Sequence, residues 1–210
     1  MNLEVSTDMS NYLPQIAEKT AYGYHYTNPF DILYGDRIVF INDVIDDNVA
    51  GNVVAQLLAL ESKDSKSGVT IYLNTPGGSI DSVMFIVDTM NYIQCPVTTV
   101  CLGQCSGASS LILVNGAKRL MLTHSRVILR QPAMGAQQDK ATDIVISAKE
   151  LTRLRGLLED SIAEHTHIKR DEITALTQHE TVFTADECLK KGIIDEILNK
   201  RPIDDDNEDD

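Results

Sequence analysis

Tryptophan is absent from this 210-residue chain and aromatic residues make up 5% of it, yet 43% of the residues are hydrophobic, enough for a sizeable core. No apolar run approaches the eighteen residues needed to span a bilayer, so no membrane partner is expected. The opening Met1-Asn2-Leu3-Glu4-Val5 has neither a basic region nor an apolar core, so it is not expected to act as a secretory signal. Cysteine is scarce: Cys95, Cys101, Cys105 and Cys188 show no metal-like C-x-x-C spacing. Cys101 and Cys105 sit on or just beyond an apolar strand, where a free thiol behaves as a small apolar group. No structural disulfide, metal or other cofactor is expected, and a reducing cytoplasm is the simplest compartment. Positive charge is in deficit too. With 18 basic residues against 31 acidic ones the net charge is −13, no basic stripe appears, and nucleic acid is excluded as a partner.

Much of the acidic excess lies in Asp204-Asp205-Asp206-Asn207-Glu208-Asp209-Asp210, which has no apolar group and reads as a disordered tail. Its role is solubility or, as the alternative, an acidic lip on one face of an assembly. Upstream, the length suits one domain with a short appended element. After a variable segment from Met1 to about Tyr34, strands are expected at Asp36–Ile41, Val69–Leu73, Val97–Leu102, Arg119–Leu122, Arg126–Leu129 and Ile193–Leu198. Helices are expected at Asp47–Glu61, Ser79–Ile93, from the small-residue turn to about Val114, at Ala141 to His165, after Lys169, and from Thr184. In the first of these, Val49, Val53, Val54, Leu57, Leu58 and Leu60 fall largely on one face. Strands alternating with helices indicate an α/β fold with a largely parallel sheet.

The stretch from Thr99 to Leu113 combines an apolar strand, a turn of small residues (Gly103-Gln104-Cys105-Ser106-Gly107-Ala108) and the start of an apolar helix. Serine hydrolases present their nucleophile on such an elbow. Around it stand Asn74-Thr75-Pro76-Gly77-Gly78-Ser79, Ser125-Arg126-Val127-Ile128-Leu129-Arg130-Gln131-Pro132, Ala141-Thr142-Asp143-Ile144, Glu164-His165-Thr166 and Phe183-Thr184-Ala185 with Gly192-Ile193-Ile194-Asp195. In that order, from about Asp36 to Leu198, these segments resemble the motifs of Clp protease proteolytic subunits. The resemblance implies the crotonase-like superhelical fold of that family, with a protruding handle helix. It divides the chain into an axial-loop-like segment at 1–34, a Clp-like domain at 35–200 with its handle at about 133–165, and the acidic tail at 201–210.

The same resemblance places the catalytic triad on Gly107, Arg130 and Glu180. The chemistry of a triad needs a hydroxyl nucleophile, an imidazole base and a carboxylate. Glycine has no side chain to attack a carbonyl, and a guanidinium stays protonated and cannot serve as a base. Glu180 keeps the carboxylate with one methylene more, so an ion pair with Arg130 is expected, the alternative being an Arg130 solvated in the chamber. The family's oxyanion hole maps to the amides of Gly78 and Ala108, which do not depend on side-chain identity; alternatively Gly77 and Gly78 merely permit a tight turn. Ser106 and Ser109 flank the elbow as stand-in nucleophiles or, as the plainer reading, as small residues where helix meets sheet. A base is missing for either. His124 lies roughly 20 Å of extended chain from Arg130, which leaves His179, beside Glu180.

The resemblance also implies surfaces for assembly. An apolar ATPase-docking pocket would be lined by Leu58, Tyr72, Tyr92, Val100, Leu102, Leu120 and Leu122, all of which could equally serve as core, and Thr70 stands where an aromatic is usual. Gln178 and His179 take the place of a charge pair between stacked rings, and the loop from Ala133 to Lys140 departs from the family's Gly-rich stretch. Together these features imply a non-catalytic subunit of an ATP-dependent Clp-type protease. Its expected partners are a catalytic paralogue in a heteromeric ring and an AAA+ Clp ATPase. The alternative is an active serine endopeptidase subunit with a rearranged site using Ser106 or Ser109.

Overall fold

A computed structural model describes residues 16–20, 23–132 and 141–199. The chain forms two compact units, Met1–Ile38 and Val39–Asp210. In the first, β1 (Ile16–Thr20) pairs antiparallel with β2 (Gly23–Thr27), and α1 (Pro29–Gly35) follows. Asn28 caps α1, its Oδ1 accepting from the Phe30 amide at 2.8 Å, while Asp31 accepts from the Asn28 amide at 3.1 Å. This hairpin and helix lie in the segment, up to about Tyr34, for which the sequence implies no fixed elements. The reciprocal cap, with proline in the first turn, was the available signal.

In the second unit the order runs β3 (Ile38–Ile41), α2 (Asp47–Lys63), β4 (Val69–Thr75), α3 (Ile80–Tyr92), β5 (Val97–Ser106), a 3-10 turn (Gly107–Ser109) and α4 (Ser110–Val114). It continues through β6 (Lys118–Leu122), β7 (Arg126–Leu129), α5 (Ala141–His165), α6 (Arg170–Gln178), β8 (Thr181–Thr184), α7 (Ala185–Lys190) and β9 (Glu196–Leu198). The main sheet is ordered β3-β4-β5-β6-β9, with β7 joining β5 and β8 joining β7. The pairings β4–β5, β5–β6, β5–β7 and β6–β9 are parallel, and β7–β8 is antiparallel. This is the α/β, largely parallel fold that the sequence implied.

β5 is the branch point. Its residues Thr98–Cys101 pair with β6, whereas Gln104–Ser106 pair with β7. Between them the register against β4 slips, so that Leu73 faces Cys101 but Thr75 faces Cys105. The expected end of this strand at Leu102 is therefore four residues short. Gly103-Gln104 read as the start of a turn, but the Asn74 side chain bridges the irregularity, its Oδ1 accepting from the Gln104 amide at 3.3 Å. β8 was not expected either. It exists because β7 offers it an edge, with Leu129 opposite Thr181.

Helices α2 and α3 form because each shows one apolar stripe and carries a cap. Asp46 accepts from the Val49 amide, and Ser79 from the Ser82 amide. Ala50, Val53, Val54, Leu57 and Leu60 of α2, and Val83, Ile86, Val87 and Met90 of α3, are buried. Leu58 departs from the expected face. Leu58 is 42% exposed, because a residue one step past Leu57 turns by about 100°. The hydrophobic centre is completed by Ile71 and Leu73 of β4, Leu111 to Leu113 of α4 and Met121 of β6. Burying each such side chain contributes about 1.5–3 kcal/mol.

The 25-residue α5 buries Leu154, Leu158 and Ile162 in its second half, while Ile144, Val145 and Ile146 in its first half are more than half exposed. Its root is fixed by a buried carboxylate. Glu159 accepts from Arg155 at 2.6 Å, from Thr174 at 2.9 Å and from Thr177 at 3.0 Å, and it pairs with Arg170. Burial opposes ionisation of Glu159, but these hydrogen bonds and the Arg170 charge outweigh it and hold its pKa below the ordinary glutamate value of 4.5. Beyond α5, Arg119 of β6 donates to the carbonyls of His165 and Gly192 and clamps Asp195 with two further bonds.

A carboxylate whose pKa is depressed by folding stabilises above its unfolded pKa, and that contribution is lost as pH falls through the folded value. Glu159→Ala is expected to cost about 3–5 kcal/mol, because two arginines lose a buried partner. Thermal melts from pH 7 down to pH 3 should show the wild type approaching the variant below about pH 4.5. Parallel melting curves across that range would contradict the assignment.

Candidate functional site

The cleft at the branch of the sheet begins with the β4–α3 connection. Thr75 is fully buried; its Oγ1 donates to the Asp43 carbonyl at 2.6 Å and accepts from the Gly77 amide at 3.1 Å. The turn then packs backbone to backbone against the residues before α2. Ile45 donates to the Gly77 carbonyl and accepts from the Ser79 amide, both at 2.9 Å. A Cβ on Gly78 would lie 2.1 Å from the Ile45 carbonyl oxygen, so only glycine fits there. Parallel bridging uses the residues flanking Gly78, which leaves the Gly78 N–H directed away from Ile45.

The second wall is the elbow. β5 ends at Ser106, the chain turns through Gly107 at φ +58°, and α4 begins at Ser110. Two hydroxyls close this turn, Ser109 Oγ donating to the Ser106 carbonyl at 2.9 Å and Ser110 Oγ to the Gly107 carbonyl at 2.8 Å. Ala108 is at the start of the helical turn, where backbone N–H groups have no partner within the helix. Among the described residues, neither the Gly78 nor the Ala108 amide has a protein acceptor.

Arg130, one residue past β7, lies across the elbow. A Cβ placed on Gly107 would meet Arg130 Nε at 3.0 Å and Cγ at 3.4 Å. Nη2 donates to the Pro76 carbonyl at 2.9 Å, so one side chain ties the elbow to the β4–α3 turn. Nη1 lies 4.0 Å from Glu180, with both side chains about half exposed. Such a pair contributes about 0–1 kcal/mol. The contact with Pro76 was not foreseen, because no local pattern reports which carbonyl a long side chain will reach.

The cleft has a volume of about 550 Å³ and brings together Gly77, Gly78, Ser79, Gly107, Ala108 and Arg130, with Glu150, Leu151 and Leu154 contributed by α5. No histidine lines it among the described residues, and its one hydroxyl, Ser79, caps α3. Ser106 and Ser109 are 5% and 0% exposed, and Ser109 is committed to the turn. Cys105 is buried as well. Burial first, then Cys101 beside it, raises its thiol well above the ordinary value, and burial pushes Cys188 up to about 12. These thiols are inert core groups.

The remaining sequence-singled residues lie apart from the cleft. Gln178 ends α6 and His179 follows it, both exposed. Tyr72, Val100 and Leu120 are adjacent across β4, β5 and β6. Tyr92, Leu58 and Leu122 are exposed at 80%, 42% and 37%, and Leu102 is half-buried; Val100 and Leu120 are buried in the single subunit. The loop at 133–140, the acidic tail and Tyr22 lie outside the described residues, as do the side chains of Tyr24 and His25. No described helix is long and apolar enough to cross a membrane.

A largely parallel α/β sheet whose strand turns sharply into a helix is the setting in which serine hydrolases present a nucleophile, a setting many folds share. Comparison makes it specific. The Clp protease family profile matches residues 21–201, and the chain belongs to that family. It is 41% identical over 193 residues, 91% of this chain and 93% of the relative, to the ATP-dependent Clp protease proteolytic subunit 1 of Corynebacterium glutamicum. Against the subunit of the same name from Bifidobacterium longum it is 44% identical, covering 90% of this chain and 82% of that one. Proteolytic subunit 2 of Streptomyces avermitilis is 39% identical, over 92% and 98% of the two chains.

The elbow yields a stability test. Gly107→Ala places a side chain at positive φ and against Arg130, and is expected to cost about 1–3 kcal/mol in chemical denaturation. In an Arg130→Ala background the steric part should vanish and the cost should fall. An equal cost in both backgrounds would show that Arg130 does not press on the elbow.

Proposed function

We propose that this chain is a non-catalytic structural subunit of an ATP-dependent Clp-type protease ring, contributing chamber wall and docking surface beside a catalytic paralogue. The observation that carries the reading is Arg130. Its guanidinium stem lies against Gly107, in the space a nucleophile's side chain would need, and a permanently charged group there cannot take a proton from an attacking hydroxyl. Gly107, Arg130 and Glu180 are then the remnants of a triad, and Gly78 and Ala108 keep the donors of an oxyanion hole. The rival reading, a rearranged site on Ser106 or Ser109, is opposed by their burial.

Membership of the family supports the choice of partners. A catalytic proteolytic subunit would supply the active sites of a heteromeric ring in the cytoplasm. An AAA+ Clp ATPase would dock at apolar side chains including Tyr92, Leu58 and Leu122, which this subunit exposes. Gln178 and His179 would face the opposing ring without a charge pair, which favours a mixed assembly over a homomeric one.

Activity-based labelling tests the reading. The purified chain should neither react with a fluorophosphonate nor cleave small fluorogenic peptides. Gly107→Ser alone should stay inert, and activity should require Arg130→His as well, because triad members act as a unit. Labelling of the wild type at Ser106 or Ser109 would overturn the proposal. Native copurification should return a catalytic paralogue.

A further inference from the structure

The cleft is equipped for a ligand that a protease site would only release. Arg130 has five N–H donors and gives one, on Nη2, to the Pro76 carbonyl. Nη1, at 4.0 Å from Glu180, is beyond hydrogen-bond reach. Among the described residues Nε has no acceptor; it lies against Gly107, 3.0 Å from where a Cβ would stand, and Ala108 lines the same cleft. The Gly78 amide, also without a protein acceptor, lines the same cleft. A charged planar fork and two backbone donors thus border one cavity of about 550 Å³. That volume is in the usual range for small-ligand sites.

A neutral carbonyl has one oxygen and no charge to match this set. A carboxylate has two oxygens and a full negative charge, and the guanidinium fork pairs with it bidentately. Around these donors the cleft is apolar, with Val44, Ile80, Pro132, Leu151 and Leu154 on its walls. Two carboxylates line the cleft: Glu150 accepts from Arg153 at 2.6 and 2.9 Å, and Asp81 sits in the first turn of α3. Among the described residues, Glu180 is the one carboxylate within 4.0 Å of the Arg130 guanidinium.

We infer that this cleft binds the C-terminal carboxylate of short peptides with an apolar last residue, Arg130 and the Gly78 and Ala108 amides holding the carboxylate. The inference rests on the non-catalytic reading and gives that site a ligand. In a chamber where neighbouring subunits cut polypeptides, each cleavage creates such a carboxylate, so the subunit would retain cleavage products rather than make them. Glu180 sets the affinity by competing for the guanidinium.

The test is a titration of the full-length chain with an N-acetylated tripeptide ending in leucine, as the free acid and as the C-terminal amide, followed by calorimetry or amide chemical shifts. The acid is expected to bind at least tenfold more tightly than the amide, and more tightly than octanoate, a carboxylate without peptide. Arg130→Gln and Arg130→Lys should both abolish the preference for the acid, since the lysine keeps the charge but not the fork. Glu180→Gln should tighten binding of the acid severalfold. Equal binding of acid and amide by the wild type would overturn the proposal, as would an Arg130→Gln variant that keeps the preference. Octanoate binding as well as the peptide would overturn the peptide assignment. Glu180→Gln without effect would remove the competing role given to Glu180. Failure here with a chain that does not label leaves the non-catalytic reading standing, whereas fluorophosphonate labelling would sink that reading first.

Discussion

β5 has to satisfy two sets of neighbours along one strand, and the cleft exists because it does. Its first half is hydrogen-bonded to β6 and its last three residues to β7, with β4 alongside both. The slip in register against β4 between Leu73 and Thr75 falls where β5 leaves β6 and takes up β7. Past it the chain has no further sheet to join and turns at Gly107 into α4. Everything chemically distinctive then gathers where the strand ends: free amides, a glycine turn held against Ile45, and the end of β7 carrying Arg130.

At that place sterics matter more than the ion pair. The contact between Arg130 and Glu180 is long and wet, and a half-exposed pair contributes little. The approach of Arg130 to the bare Cα of Gly107 is different, because it exists only while position 107 has no side chain. The two residues are complementary, one giving up the volume that the other occupies. The hydrogen bond to the Pro76 carbonyl then converts a space-filling side chain into a brace between two segments of backbone.

Helix α5 depends on charges of the opposite exposure. Glu159 is 2% exposed, and its partners come from α5 and from α6. A buried carboxylate is tolerable only when its acceptor sites are filled, and here two arginines and two threonines fill them. The end of the same helix is tied by Arg119 to the turn before β9. With its second half fixed in this way, α5 carries Leu151 and Leu154 to the rim of the cleft while Ile144, Val145 and Ile146 stay exposed.

The sequence by itself determined the alternation of strands and helices from β3 to β7, the bounds of α5 and β7, and the turn of small residues between an apolar strand and an apolar helix; the resemblance of its motifs pointed to the family. The strands, helices and turn are written in periodicity and turn chemistry, which act over a few residues. It also determined that positions 107 and 130 hold a glycine and an arginine, residue types that exclude a nucleophile and a base whatever their surroundings. Only the tertiary structure decided the rest. Whether Leu58 faces in or out, how far β5 runs, that β8 exists, that Ser109 is spent on its own turn, and which carbonyl Arg130 reaches all depend on groups distant along the chain. Burial and long-range hydrogen bonds are set by what packs against a residue after folding, and a local pattern carries no record of that.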